Sequence, residues 1–213
     1  MPVSVRREPS TAWAAAALAV GAASFAQTFR GSKDRFWQRM TRTGLLLGGA
    51  ALAGDPALRS VRPRPRDLAT GAAIAATLYG VFQVGDRAAR VVMPNGSDDI
   101  GDIYALRRIR PVPEIAARLA LVIGPAEELF WRGLLQSVLT RRLGAAKGAA
   151  AATACYGGVH LASGNPTLVG AATVAGAGWS ALAAARVPMA ALVASHVIWD
   201  IWIFLVQPTQ ATA

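Results

Sequence analysis

Stretches of 17 to 20 residues without one charged side chain recur along this chain, at 10–29 and 69–85 among others. A membrane's hydrocarbon layer is about 30 Å thick, which an α-helix of ~20 apolar residues crosses. Hydrophobic residues make up 54% of the 213 and charged residues 16%, against roughly 25% charged in an ordinary globular chain. The expected fold is all-α, a polytopic transmembrane bundle of about 6–8 helices.

The net charge is +10, which raises the question of nucleic acid. Nearly all of the 22 basic residues sit between apolar runs or at their ends. That is where Lys and Arg anchor a membrane protein to anionic headgroups. With no recognised basic recognition motif present, the expected partner is the lipid bilayer and not nucleic acid. The single cysteine, Cys155, excludes an intrachain disulfide and a cysteine-rich metal site.

The first apolar run, 10–29, follows Arg6 and Arg7 and contains Ser24-Phe25-Ala26, which loosely resembles a signal-peptidase site. A retained first span is the preferred reading and a cleaved leader the alternative. Residues 43–54 form a run of 12, about 18 Å as a helix. This segment is either a tilted helix extended by its flanks or a re-entrant piece. "RSVRPRPRD" reads as a basic loop stiffened by Pro63 and Pro65. Residues 69–85 form the next span, and the polar connection 86–114, with "PNGSDD" and "RRIRPVPE", belongs at the membrane surface. Helices are predicted at 114–142, 146–162, 167–185 and 188–206, with Gly124-Pro125 kinking or restarting the first. The chain divides into N-terminal helices and basic loops, 1–109, and a four-helix C-terminal core, 110–207. With seven crossings the loop cations divide evenly between the two sides. If 43–54 does not cross, the balance favours a cytoplasmic loop at 30–66.

Ionisable residues inside apolar helices are candidates for function, because lipid makes them costly. Both histidines of the chain, His160 and His196, fall there, with Glu127, Glu128, Asp200 and Arg132. Glu128 and Arg132 stand four residues apart and share a helix face, as a supporting ion pair. Glu127 is rotated about 100° from Glu128, so one glutamate is neutralised and the other left for chemistry or for another partner. His196 and Asp200 share a face, as do Tyr156 and His160. Tyr156, Trp131 and Trp199 read as packing residues, and the glycines of "YGGVH" as sites of close helix approach.

These residues form a pattern. "EELFWR" resembles the EExxxR motif, "YGGVH" the FxxxH motif and "HVIWD" the HxxxN/D motif of the CPBP group. These are the CAAX-processing and bacteriocin-processing intramembrane proteases, also called the Abi or Rce1-like family. The resemblance covers roughly 110–207. It implies an endopeptidase of a multi-pass protein of the plasma or cytoplasmic membrane, acting on a prenylated tail, a peptide precursor or a membrane protein. By the same resemblance Glu127 is the general base that activates water, helped by His160. His196 and Asp200 stabilise the tetrahedral intermediate or help bind a metal. Two features depart from the pattern: Tyr156 stands where Phe is usual, and Asp200 where prenyl-protease members have Asn. An ionised Asp cannot donate to an oxyanion. Glu127, His160 and His196 as zinc ligands and a metal-free glutamate mechanism both remain open. So do two other classes, a non-catalytic membrane scaffold or immunity-type protein and an ion-coupled transporter.

Overall fold

The computed structural model describes residues 9–93 and 95–209. Arg6 and Arg7, and Pro94 of the "PNGSDD" turn, lie outside the described residues. The described residues are 88% helical, in eight helices, with no strand among them. It is an all-α membrane bundle. Four of the helices, Thr11–Arg30, Pro65–Val92, Pro166–Ala184 and Met189–Val206, are long and apolar enough to cross a bilayer.

Helix α1, Thr11–Arg30, starts at Ser10, whose hydroxyl accepts from the Trp13 N–H at 3.4 Å. Helix α2, Phe36–Gly54, has 19 residues and is about 28 Å long. The short run 43–54 is therefore extended by its polar flank. The reason lies in the register: buried Trp37, Met40, Gly44, Leu47 and Ala51 continue one stripe through the basic segment. Arg39 and Arg42 ride outside that stripe.

Helix α3 runs from Pro65 to Val92. Its first turn is set by Pro65, which needs no N–H there, and by the Asp67 carboxylate accepting the Arg64 N–H at 3.0 Å. It outlasts the expected span 69–85, so residues 86–92 of the polar connection are helix. Helix α4, Gly96–Ala105, buries Ile100 and Tyr104. It is tied down by Lys33 to Asp102 at 2.9 Å, by Thr167 donating to Asp99 at 2.8 Å, and by the Trp37 indole donating to the Leu106 carbonyl at 2.9 Å.

Helix α5 spans 112–143 without a break. It has π-type turns at Leu119–Ile123 and Leu129–Gln136 on either side of the α-helical Gly124–Glu128. Pro125 lacks an N–H, and its ring crowds the preceding carbonyls. The helix answers by widening. Helix α6, Ala145–Val159, closes in a 3-10 turn, His160–Ser163, which ends at Gly164 with φ +67°. Asn165 caps α7, Pro166–Ala184, by accepting from the Leu168 N–H at 2.7 Å. Helix α8 is Met189–Val206. The predicted C-terminal helices thus match the observed ones closely.

Helix α5 is the centre. From Ala126 to Gln136 every residue except the half-buried Leu129 is buried, with α2, α6 and α8 packed around it. Phe25, Leu47, Phe130, Trp131 and Leu134 make the main core, and Leu78, Ala175, Trp179 and Leu192 a smaller one. Helices α3 and α8 approach closely at Gly71, where an added Cβ would lie 2.7 Å from the Ala194 Cβ and 3.0 Å from the Ala191 carbonyl oxygen. Gly71→Ala should therefore destabilise the bundle by about 1–3 kcal/mol through overpacking. Gly80→Ala, on the same helix with nothing within 4 Å, should be neutral or slightly stabilising. Thermal melts of the two variants in detergent test the contrast, and equal midpoints would refute it.

Candidate active site

Three helices deliver the polar side chains to one place. Glu127 and Glu128 come from the middle of α5, Tyr156 and His160 from the end of α6, and His196 and Asp200 from α8. Glu127, Tyr156, His160, His196 and Asp200 all line a single cavity of ≈ 780 Å³. Phe29, Trp37, Phe82 and Phe204 belong to its otherwise largely apolar walls.

Glu128 is fully buried, and the expected pair with Arg132 forms at 2.8 Å. Arg132 donates again to the Gly176 carbonyl on α7 at 3.0 Å. Its guanidinium lies 4.8 Å over the Tyr156 ring and 5.4 Å from the Trp179 ring, which suits a desolvated cation. The same Glu128 oxygen accepts from His196 Nδ1 at 2.7 Å. His196 and Asp200 share a face of α8, as the i,i+4 spacing implies. His196 Nε2 stands 3.6 Å from Asp200, beyond a hydrogen bond, and the bonded carboxylate is Glu128 on another helix. Trp179 stacks on the His196 ring at 4.1 Å and 12°, and is itself held by donating to Ser195 Oγ at 3.0 Å.

Glu127 behaves differently from its neighbour, as the 100° rotation requires. It is buried and accepts one hydrogen bond, from the Tyr156 hydroxyl to Oε2 at 3.1 Å. Tyr156 is thus more than a packing residue. The departure from Phe at that position was legible in the sequence, but the partner of its hydroxyl was not.

His160 sits where α6 tightens, and its Nδ1–H donates to the Tyr156 carbonyl at 2.8 Å. A carbonyl only accepts, so the proton is on Nδ1 and, in a neutral ring, Nε2 keeps its lone pair. The ring is walled by Tyr156, Phe25 and Phe29 at 5.0, 5.4 and 5.5 Å between centroids. The two phenylalanines come from α1, far outside the motif region, and nothing in their spacing pointed to the site. Within "YGGVH", Gly157 packs on Thr173 of α7, whereas Gly158 faces open space.

The proposed metal set fares differently. Among the described residues no three His, Cys, Asp or Glu side chains are grouped so that they could hold an ion. Glu127, His160 and His196 share the cavity without forming such a cluster. Both Nδ1 atoms are already taken, by the Tyr156 carbonyl and by Glu128. The arrangement does not fit the zinc alternative, and no step is routed through a metal below.

Arg132→Met would strand the Glu128 carboxylate and the Gly176 carbonyl in a dry interior. A loss of about 3–5 kcal/mol is expected. Adding Glu128→Gln removes the stranded charge while leaving an acceptor for His196, and should recover part of that loss. Unfolding of both variants in detergent checks this, and a double variant less stable than the single one would contradict it.

Residues 112–202 match the family model described as Type II CAAX prenyl endopeptidase Rce1-like. No curated protein and no solved structure matches the chain.

Proposed function

We propose that this chain, whose residues 112–202 match the Rce1-like CAAX protease family model, is a membrane endopeptidase that uses Glu127 to activate water. The observation that carries this reading is the shared cavity: Glu127, His160 and His196 line one mostly apolar chamber inside a helical bundle.

The roles follow from the hydrogen bonds. Glu127 takes a proton from a water while that oxygen attacks the scissile carbonyl carbon. His160, with its proton fixed on Nδ1 by the Tyr156 carbonyl, offers Nε2 as an acceptor that orients the same water. His196, held through Nδ1 by Glu128, presents protonated Nε2 to the developing oxyanion. Asp200, 3.6 Å away, supports the charge on that ring. The proton taken by Glu127 passes to the leaving amine as the carbon–nitrogen bond breaks. Water supplies the remaining hydroxyl, so no covalent enzyme intermediate forms.

The substrate class follows from the walls. Val81 and Val84 of α3 and Val174 of α7 line the cavity yet are 45%, 66% and 50% exposed. The chamber therefore reaches the outer flank of the bundle between α3 and α7. A peptide carrying a lipid-like or prenyl group, or a membrane-tethered segment, suits such an opening better than a soluble polar peptide. The protein is accordingly read as a multi-pass protein of the plasma or cytoplasmic membrane.

Purified protein in lipid should cleave a prenylated or membrane-tethered peptide, and Glu127→Gln should lower the rate by about 10²–10⁴-fold with helicity unchanged. Full activity in that variant would refute the assignment. Exhaustive chelation should leave cleavage intact, given that the described residues form no three-ligand cluster. Loss on chelation with recovery on adding zinc would reverse that point.

A further inference from the structure

We propose that Tyr156 is a positioning residue for Glu127, its hydroxyl setting the plane of the base's carboxylate so that Oε1 is left for water. The inference rests on the hydrolytic reading above and deepens it.

The first observation is the isolation of Glu127. Glu128 has two donors from two helices, whereas Glu127 has the Tyr156 hydroxyl alone among the described residues. The terminal torsion of a glutamate is broad and roughly two-fold. Without a donor the carboxylate would turn over a wide range in an apolar chamber. A 3.1 Å bond to one oxygen removes that freedom and makes the two oxygens unequal.

The second observation is that the phenol's place is set by packing and not by Glu127. The ring meets Trp131 edge-on at 5.3 Å and His160 at 5.0 Å, and lies under the Arg132 guanidinium at 4.8 Å. On the fourth side it rests on Gly176, where a Cβ would come within 2.7 Å of a ring carbon. A ring clamped on four sides holds its hydroxyl as a fixed reference point. The same residue's carbonyl holds His160 Nδ1 at 2.8 Å. One residue thus sets both groups that touch the attacking water, from its two ends.

Phe is the usual residue at this position of the resembled motif, so the ring is the packing element and the hydroxyl is an addition. This makes Tyr156→Phe a clean probe in the full-length chain reconstituted in lipid. With circular dichroism unchanged, kcat should fall about 10–100-fold at unaltered KM, because the carboxylate loses its orientation and substrate contacts are untouched. The carboxyl band of Glu127 in the infrared, identified by its absence in Glu127→Gln, should shift in Tyr156→Phe. A merely structural tyrosine would move neither. An unchanged kcat or an unshifted band, with Glu127→Gln inactive, overturns the positioning role and leaves the hydrolase reading standing. Full activity in Glu127→Gln removes Glu127 as the base, and this proposal with it.

Discussion

The carboxylate of Glu128 is the point on which this bundle turns. It accepts from Arg132 on its own helix and from His196 on α8, while Arg132 reaches on to the backbone of α7. A charge in a dry interior is tolerated only with a partner of good geometry. Here one oxygen of the Glu128 carboxylate pairs with a guanidinium on its own helix and an imidazole on α8, while Glu128 Oε2 and Arg132 Nε are buried without a hydrogen-bond partner among the described residues. Any sliding of α7 or α8 along α5 would break a charge-assisted bond. The register of the site is therefore tied to the register of the bundle, and His196 cannot leave its place without exposing Glu128 to an apolar surrounding.

The division of labour between the two adjacent glutamates follows from that anchor. One helical step separates them, and the step is enough to turn Glu127 away from Arg132 and toward the cavity. Glu128 is neutralised and immobile. Glu127 has one neutral donor and open space. The same chemical group thus serves as a structural tie in one position and as a candidate base in the next, and the difference is entirely one of partners. Helix α1 completes the setting by placing Phe25 and Phe29 on the ring of His160. It is held to α2 by buried hydroxyls, with Ser24 and Thr28 meeting Thr43 at 2.7 and 3.1 Å.

What could be read from the sequence was what local periodicity controls. The C-terminal helices, the Glu128–Arg132 pair and the turning away of Glu127 all follow from 3.6 residues per turn. The run 43–54 looked too short because charge was counted, whereas burial stripes at Trp37 and Met40 carry the helix on past Arg39 and Arg42. Contacts between helices were beyond such reasoning. The i,i+4 rule placed Asp200 beside His196, where it stands 3.6 Å from Nε2, but the hydrogen bond to the imidazole comes from tertiary packing with Glu128, 68 positions away. The partner of the Tyr156 hydroxyl and the place of the α1 phenylalanines were illegible for the same cause: the groups they meet lie on other helices, and no spacing within one helix announces them.

The widened turns of α5 bear on why the charges sit on this helix and no other. Most helices of a bundle have a face toward lipid, where an unpaired carboxylate would be intolerable. From Ala126 to Gln136 α5 has almost none, and a helix enclosed on all sides can present polar groups in several directions at once. Enclosure also demands close fit, and a proline in the middle of such a helix would ordinarily break it. The π-type turn at Leu119–Ile123 lies where Pro125 would clash and accommodates it without breaking the axis, and a second follows the glutamates at Leu129–Gln136. They also alter the angular step between side chains before and after the glutamates. Glu127 and Glu128 consequently stand on a short α-helical segment between two wider ones. There the 100° between them sends one toward Arg132 and α8 and the other toward α6 and the cavity.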